Sequence, residues 1–304
     1  MKTVAPPFAE DACDDPVLAA LNAEPVRLLR PKAHLTPFIF ASPHSGRLYP
    51  LSFVRQSRLS PLLLRRSEDA FADELFDSVP GFGAPLLCAR FPRAYVDANR
   101  APGELDPEMF DAALPLAIDP PSPRVAAGLG VIPRLVREGA DIYRARLAAE
   151  EAAIRLASLY HPYHDALAKL VEETYRRFGC AVVIDCHSMP STPAAPSIVF
   201  GDCYGASVSP SLMRHAEDAF DRAGFSTARN APYAGGHTTH LYARREVGIH
   251  ALQIEVNRGL YLDEDRIEKL PSFAGVKGRL GAALRQLLRF EWTRLVQQRP
   301  LAAE

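Results

Sequence analysis

The stretch Ala181-Val-Val-Ile-Asp-Cys-His-Ser-Met-Pro190 decides how this 304-residue chain is read. Residues 181–185 form a short apolar run rich in β-branched side chains, which predicts a buried strand. That strand delivers His187 to the point where it gives way to a loop. In an open α/β sheet, ligands collect in the crevice outside the carboxyl ends of the strands. A histidine placed there, two residues after Asp185, is the first candidate for a metal ligand.

Two further stretches have the same character. Residues 38–41 predict an apolar strand that runs into Pro43, His44 and Gly46, so a second strand ends in histidine. Residues 249–258 alternate, with Gln253, Glu255 and Asn257 on one face against Leu252, Ile254 and Val256 on the other. Three polar residues on one face of a central strand require a purpose. Shorter strands are expected at 84–89, 93–96 and 196–202, the second leading into Asp97-Ala-Asn-Arg100.

Helical spacing fills the intervals. Residues 59–78 place Leu62, Leu63, Ala70, Phe71, Leu75 and Phe76 on an apolar stripe, with Glu68, Asp69 and Asp73 near the opposite side. Asp69 and Asp73, four apart, would share a face. A helical region over 141–178 must bend or break near Pro162, which has no N–H to donate, and Gly179 closes it. Helices are also expected at 209–223 and along the C-terminal leucine pattern from Leu280 to Leu295. Segments 101–138 and 230–242 read as loops. Strands alternating with helices predict an α/β fold: a mixed, mostly parallel sheet with helices on both faces. No repeat or linker interrupts it, so one domain is expected over 34–304, preceded by an N-terminal arm over 1–33.

Lys plus Arg (35) balance Asp plus Glu (36), so no global field draws the chain to nucleic acid or to an anionic membrane. No apolar run approaches the length of a membrane span, and the acidic, proline-bearing N-terminus lacks the apolar core of a signal peptide. Cys13, Cys88, Cys180, Cys186 and Cys203 are odd in number and show no CxxC spacing. Neither a disulfide framework nor a thiolate metal site is indicated, and a cytoplasmic location is expected.

Several polar residues therefore fall at strand ends or just beyond: His44, Asp97 with Asn99 and Arg100, Asp185 with His187, and Glu255. Two imidazoles and a carboxylate, with one position open to water, make a catalytic zinc arrangement. His44 and His187 supply the imidazoles, and Asp69 or Glu68 the carboxylate. Such a site needs a general base, and Glu255 is available. Asp185 can orient a ligand from behind, as metal-bound histidines usually require, and Asp97 is a second acid suited to that task. Arg100 and Arg258 are planar cations able to grip a carboxylate, with Asn99 adding a hydrogen bond, so a substrate bearing one or two carboxylates is expected. A lone histidine is ordinarily a satisfied structural residue, but two at strand ends beside an acid on a third strand weaken that account. Cys186 next to His187 suggests a cysteine hydrolase, yet neighbours on a strand point to opposite faces and cannot pair.

The ordered motifs SPHSGRLYP, SEDAFADELF, YVDANR, HPYH, DCHSMP, APYAGGHTTHLY and ALQIEVNRGLYLDE resemble the N-formylglutamate amidohydrolase family over about residues 36 to 265. That family is similar to the zinc carboxypeptidases and aspartoacylases. The resemblance implies a phosphorylase/hydrolase-like α/β fold, one divalent metal ion, most simply Zn2+, and hydrolysis of N-formyl-L-glutamate to formate and glutamate, a late step of histidine degradation. It further implies His44, Asp69 (in preference to Glu68) and His187 as metal ligands and Glu255 as general base. Asn99, Arg100, Arg258, His237 and Thr238 are implied as contacts to a small carboxylate-bearing N-acyl amino acid. Another N-acyl amino acid as substrate, or a catalytically silent binder of acidic metabolites, are the alternatives. Oligomeric state is not readable from the sequence.

Overall fold

The computed structural model describes residues 15–136, 139–192 and 194–296. The first fourteen residues of the expected arm, Cys13 among them, lie outside the described residues, as do residues 137 and 138 of the expected loop. The chain divides into two compact units. One takes the chain up to Arg27 with Pro43–Ala70 and Cys88–His164; the other takes Leu28–Ser42, Phe71–Leu87 and the chain from Asp165 onward.

The strands are β1 (Val26–Leu29), β2 (Phe38–Ser42), β3 (Leu86–Ala89), β4 (Leu135–Val136), β5 (Ala140–Asp141), β6 (Ala181–Met189), β7 (Ile198–Gly201), β8 (Thr227–Arg229), β9 (Ile249–Asn257), β10 (Leu262–Asp263) and β11 (Glu268–Lys269). Seven of them form one sheet in the order β1-β3-β2-β6-β9-β7-β8, while β4 with β5 and β10 with β11 make small ladders of their own. Pairs β2/β6, β6/β9 and β7/β8 are parallel, and β7 runs antiparallel to β9. The sheet is thus mixed and mostly parallel, as the alternation of strands and helices predicts. Every residue of β6 and β9 is buried, their polar residues included.

In the second unit, helix His161–Phe178, which begins in the first, buries Leu167, Leu170, Val171 and Thr174. Gly179 ends it with φ of 73°, its N–H donating to the Tyr175 carbonyl at 2.8 Å, a geometry that glycine reaches without a Cβ penalty. Helices Pro210–Arg222 and Phe273–Leu287 pack together. In the first unit, the wholly buried Arg155 organises the core. Its guanidinium lies 3.9 Å from the Tyr95 ring centre, donates to the Tyr143 hydroxyl at 2.7 Å and pairs with Glu151.

The structure departs from the sequence reading at several places. Strand β6 continues to Met189, so His187 lies inside the strand, because β9 pairs with it along its whole length. Residues 93–96 are a turn, with the Pro92 carbonyl accepting from the N–H groups of Tyr95 and Val96. The expected helix over 59–78 is broken into Pro61–Arg65 and Ala72–Leu75. Phe71 is left-handed (φ 62°), and the Asp69 N–H donates to the His44 carbonyl at 3.0 Å in place of a helical partner. The break at Pro162 is a π-helical turn over Leu156–Tyr160, with the proline in the opening turn of the helix that follows, where a missing N–H costs little. Finally, His237–Tyr242 is a short helix and Val26–Leu29, expected in an arm, is a strand of the sheet.

Candidate functional site

The chain leaves β2 directly into Pro43 and His44 of the first unit, and the loop after Arg65 brings back Asp69. Both side chains are buried, with His44 Nδ1 3.4 Å from Asp69 Oδ2. The other ring nitrogen, His44 Nε2, lies 2.7 Å from Asp97 Oδ1. Asp97 also accepts from the Asn99 backbone N–H at 2.8 Å and from Arg93 Nε at 2.9 Å. Burial alone would raise its pKa, but Arg93, His44 and Arg100 outweigh that effect and hold the carboxyl well below the usual range. An ionised carboxylate only accepts, so His44 Nε2 carries the proton and Nδ1 presents its lone pair on the side of Asp69.

Glu68 is also buried but is engaged elsewhere. Arg65 donates to its two oxygens at 3.0 and 3.2 Å, and the Tyr49 hydroxyl donates at 2.8 Å. Burial raises its pKa despite these partners. Adjacent acids thus have different settings, with Glu68 held by a cation and Asp69 beside an imidazole.

In the second unit, β6 carries Asp185 and His187 on one face, two residues apart, with His187 Nε2 3.0 Å from Asp185 Oδ1. Register in the parallel β6/β9 pair sets His187 opposite Glu255 and Asp185 opposite Gln253, which puts all four side chains on the same face of the sheet. Gln253 Nε2 donates to Glu255 Oε1 at 2.8 Å. Gln253 is the orienting group for Glu255 that the polar face of the strand signalled without assigning. Cys186 points to the other face, where its thiol lies 3.5 Å from the Ile184 carbonyl.

Each of His44, Asp69 and His187 offers one ligand atom, and the three atoms lie within 4.8 Å of one another, a set that can hold a metal ion. The donor chemistry fits. Each imidazole has a buried carboxylate beside its Nε2, His44 hydrogen-bonded to Asp97 and His187 3.0 Å from Asp185, the kind of support that histidine ligands usually carry. Two nitrogens and one carboxylate oxygen match the ligand types of a catalytic zinc site.

The predicted carboxylate-gripping residues are all held in place. Arg100 is buried, donating from Nε to the Leu129 carbonyl and from Nη1 to the Asn99 carbonyl, each at 3.0 Å. Burial lowers its pKa somewhat, against the pull of Asp97. Asn99 is buried beside it in sequence. Arg258 follows β9 directly; its Nε donates to Ser188 Oγ at 3.0 Å and its Nη2 to the Ser188 carbonyl at 3.3 Å, with Glu264 3.9 Å from Nη1. Glu264 in turn accepts from the Ser191 N–H at 2.8 Å, tying the segment after β6 to the one after β9. Thr238 is fully buried in the short helix that His237, half-buried, begins. Arg93, Ser188 and Glu264 are not among the residues that the sequence singles out. Arg93 and Asp97 are four apart, a spacing that only the turn at 93–96 converts into contact.

Comparison with known proteins then gives the frame for these groups. The N-formylglutamate amidohydrolase family model matches residues 36–262, a span that contains every candidate residue from His44 to Arg258. The crystal structure of N-formylglutamate amidohydrolase from Ralstonia eutropha JMP134 superposes with a TM-score of 0.82 at 33% sequence identity, covering 89% of this chain and 98% of that one. The N-formylglutamate deformylase of Pseudomonas aeruginosa is 29% identical over 238 residues, 75% of this chain and 83% of that protein. The enzyme of the same name from Pseudomonas putida is 27% identical over 237 residues, 75% of this chain and 82% of that protein. With the match running through both imidazoles, the acid between them and the polar face of β9, the chain belongs to the N-formylglutamate amidohydrolase family.

Proposed function

We propose that this chain hydrolyses the formamide bond of N-formyl-L-glutamate, releasing formate and L-glutamate, with one divalent metal ion held by His44, Asp69 and His187. The observation that carries the reading is the register of β6 with β9, which sets Glu255 directly across from His187. A metal in this set supplies Lewis-acid polarisation of the carbonyl and lowers the pKa of water towards neutrality when bound. The mixed nitrogen and oxygen donor set favours zinc.

The remaining work falls to side chains. Glu255, oriented by Gln253, takes a proton from the attacking water as its oxygen bonds to the formyl carbon. The carbon–nitrogen bond then breaks, and the same carboxyl returns the proton to the departing amine. Asp97 and Asp185 hold the two imidazoles in the tautomer that ligates. Arg100 with Asn99, and Arg258, bind the two carboxylates of the glutamyl moiety, and the His237–Thr238 segment contributes to substrate contact. Preset guanidinium groups lose little side-chain freedom on binding, and two of them favour a dicarboxylate over an N-acyl amino acid with a single carboxylate. Cys88, Cys180, Cys186 and Cys203 are buried and join in no disulfide among the described residues, which suits a reducing, cytoplasmic setting. Among the described residues no helix is long and apolar enough to cross a membrane. Histidine degradation supplies N-formylglutamate and is the pathway in which we place the enzyme.

The test is formate release from a panel of N-formyl and N-acetyl amino acids by wild type and Glu255→Gln, with metal content measured on each. Loss of about 10²–10⁴ in kcat at unchanged metal content is expected. Full turnover by Glu255→Gln with metal bound would remove Glu255 as the base, and a preference for an N-acetyl substrate would reassign the acyl group.

A further inference from the structure

At the other end of β9 from Glu255 lies a feature that the proposed reaction does not use. His250, the second residue of that strand, sits five residues before Glu255, or roughly 16 Å away at about 3.3 Å per residue. It lines a surface depression of about 430 Å³ together with Ser209, Arg245, Glu246 and Arg294. All of these residues belong to the second unit.

Three observations concern the chemistry of this depression. His250 is 4% exposed, and its Nδ1 has no hydrogen-bond partner among the described residues, although a buried polar atom without a partner is costly. Arg245 is fixed against the chain by an Nη1 bond to the Gly205 carbonyl at 2.5 Å, and the exposed Arg294 pairs with Glu291 at the surface. Ser209 caps the 13-residue helix Pro210–Arg222, its hydroxyl accepting from the Leu212 N–H at 3.2 Å, so the positive end of that helix abuts the depression. The one acid on the lining, Glu246, is exposed and can turn to solvent.

We propose that this depression binds a small oxyanion, with the imidazole of His250 and the Arg245 guanidinium as its principal contacts and Arg294 at the rim. Two guanidinium groups, a helix N-terminus and an imidazole N–H are all donors or positive charge, which selects against a cation and for a carboxylate or phosphate group. Burial and the nearby Arg245 charge keep the imidazole neutral, with a pKa of about 4. A neutral imidazole still donates one hydrogen bond. An anion seated between the two offsets Arg245, so its binding draws the His250 pKa upward. The titratable groups around the imidazole are Arg245, Glu246 and Arg294.

The test uses isothermal titration of the full-length, metal-loaded enzyme with inorganic phosphate in one arm and succinate in the other, which separates the two sources of oxyanion. Wild type, His250→Leu and the exposed-site variant Arg294→Ala are compared. Saturable binding of at least one anion is expected, weakened roughly ten-fold or more by His250→Leu and several-fold by Arg294→Ala. Histidine-selective NMR on the wild type provides a readout that does not depend on variant folding: the His250 ring signal moves on titration and its pKa rises. Absence of saturable binding by both anions, or binding that leaves the His250 signal stationary and is equal in wild type and Arg294→Ala, would overturn the proposal.

Discussion

Replacing Asp97 by asparagine removes one negative charge and exchanges one acceptor oxygen for an NH2 donor, with almost no change in volume. In the native site Asp97 accepts from His44 Nε2 at 2.7 Å, from the Asn99 N–H at 2.8 Å and from Arg93 Nε at 2.9 Å. An amide can satisfy the acceptor role at only one oxygen. If its NH2 faces His44, the imidazole must accept at Nε2 and carry its proton on Nδ1, the atom 3.4 Å from Asp69 that is needed for metal. If its oxygen faces His44, the NH2 confronts Arg93, and a part-buried guanidinium contact is lost. In the first arrangement the ligating tautomer of His44 is lost; in the second it is kept, but Nε2 faces a neutral acceptor in place of a carboxylate, which lowers the basicity of Nδ1. Changes of this kind behind a ligand typically cost about 10–100-fold in metal affinity, or about 1.4–2.7 kcal/mol. The assay is zinc titration against a competing chelator for wild type and Asp97→Asn, with kcat measured at saturating metal. Zinc affinity within a factor of about two of wild type in a folded Asp97→Asn protein would refute the assignment of Asp97 as the group that sets the His44 tautomer.

The remaining expectations concern other parts of the molecule. Asp69→Ala is expected to lose stoichiometric metal and activity, whereas Glu68→Gln, whose native partners are Arg65 and Tyr49, should retain metal; metal analysis after dialysis separates them, and the reverse pattern would exchange their roles. Arg155→Met strands the part-buried Glu151 and the buried Tyr143 and should cost about 3–5 kcal/mol of stability, read by denaturant unfolding with the m-value as a check on two-state behaviour. His250 has a folded pKa of about 4 against 6.5 in the unfolded chain, so the unfolded state binds more protons between those values. Stability from this residue is complete above about pH 6.5 and is lost as pH falls towards 4, about 3 kcal/mol in all. Unfolding curves for His250→Leu should lack that portion of the acid slope, and identical slopes in the two proteins would show that His250 does not titrate this way.

Much of the catalytic side of the sheet is legible in the sequence because it is built from strands buried on both faces. In β2, β6 and β9 an apolar run leaves few places for a polar side chain, so His187 and Glu255 stand out against their neighbours, as His44 does just beyond the end of its run. The alternation in β9 also assigns its polar residues to one face before any partner is known. What is hidden is decided by contacts distant in sequence. Asp69 sits on a pattern with helical spacing, yet the chain gives up the helix there because the Asp69 N–H meets the His44 carbonyl, 25 residues earlier in sequence. Arg93 reads as a strand residue, which on an extended chain would stand about 13 Å from Asp97, until the turn at Pro92 folds it back. Gln253 was visible as polar, but its bond to Glu255 depends on the shared face of β9 rather than on any motif. The first strand was obscured for another reason: Val26–Leu29 is only four residues long and sits after a proline in an otherwise polar segment, so nothing local distinguishes a sheet strand from an arm.

The nine-residue pairing of β6 with β9 has a consequence for how this protein can move. Both strands lie inside the seven-stranded sheet, paired with each other over all nine residues, with β2 beside β6 from Val182 to Asp185 and β7 beside β9 from Gln253 to Val256, and every residue in them is buried. Backbone amides around His187 and Glu255 therefore have no local opening to exchange through, and hydrogen exchange there should proceed only by unfolding of the whole sheet. His187, the proposed ligand, and Glu255, the proposed base facing it, are then the last parts of the chain to loosen on warming, so the loops rather than these two side chains would time the entry of substrate and the departure of product.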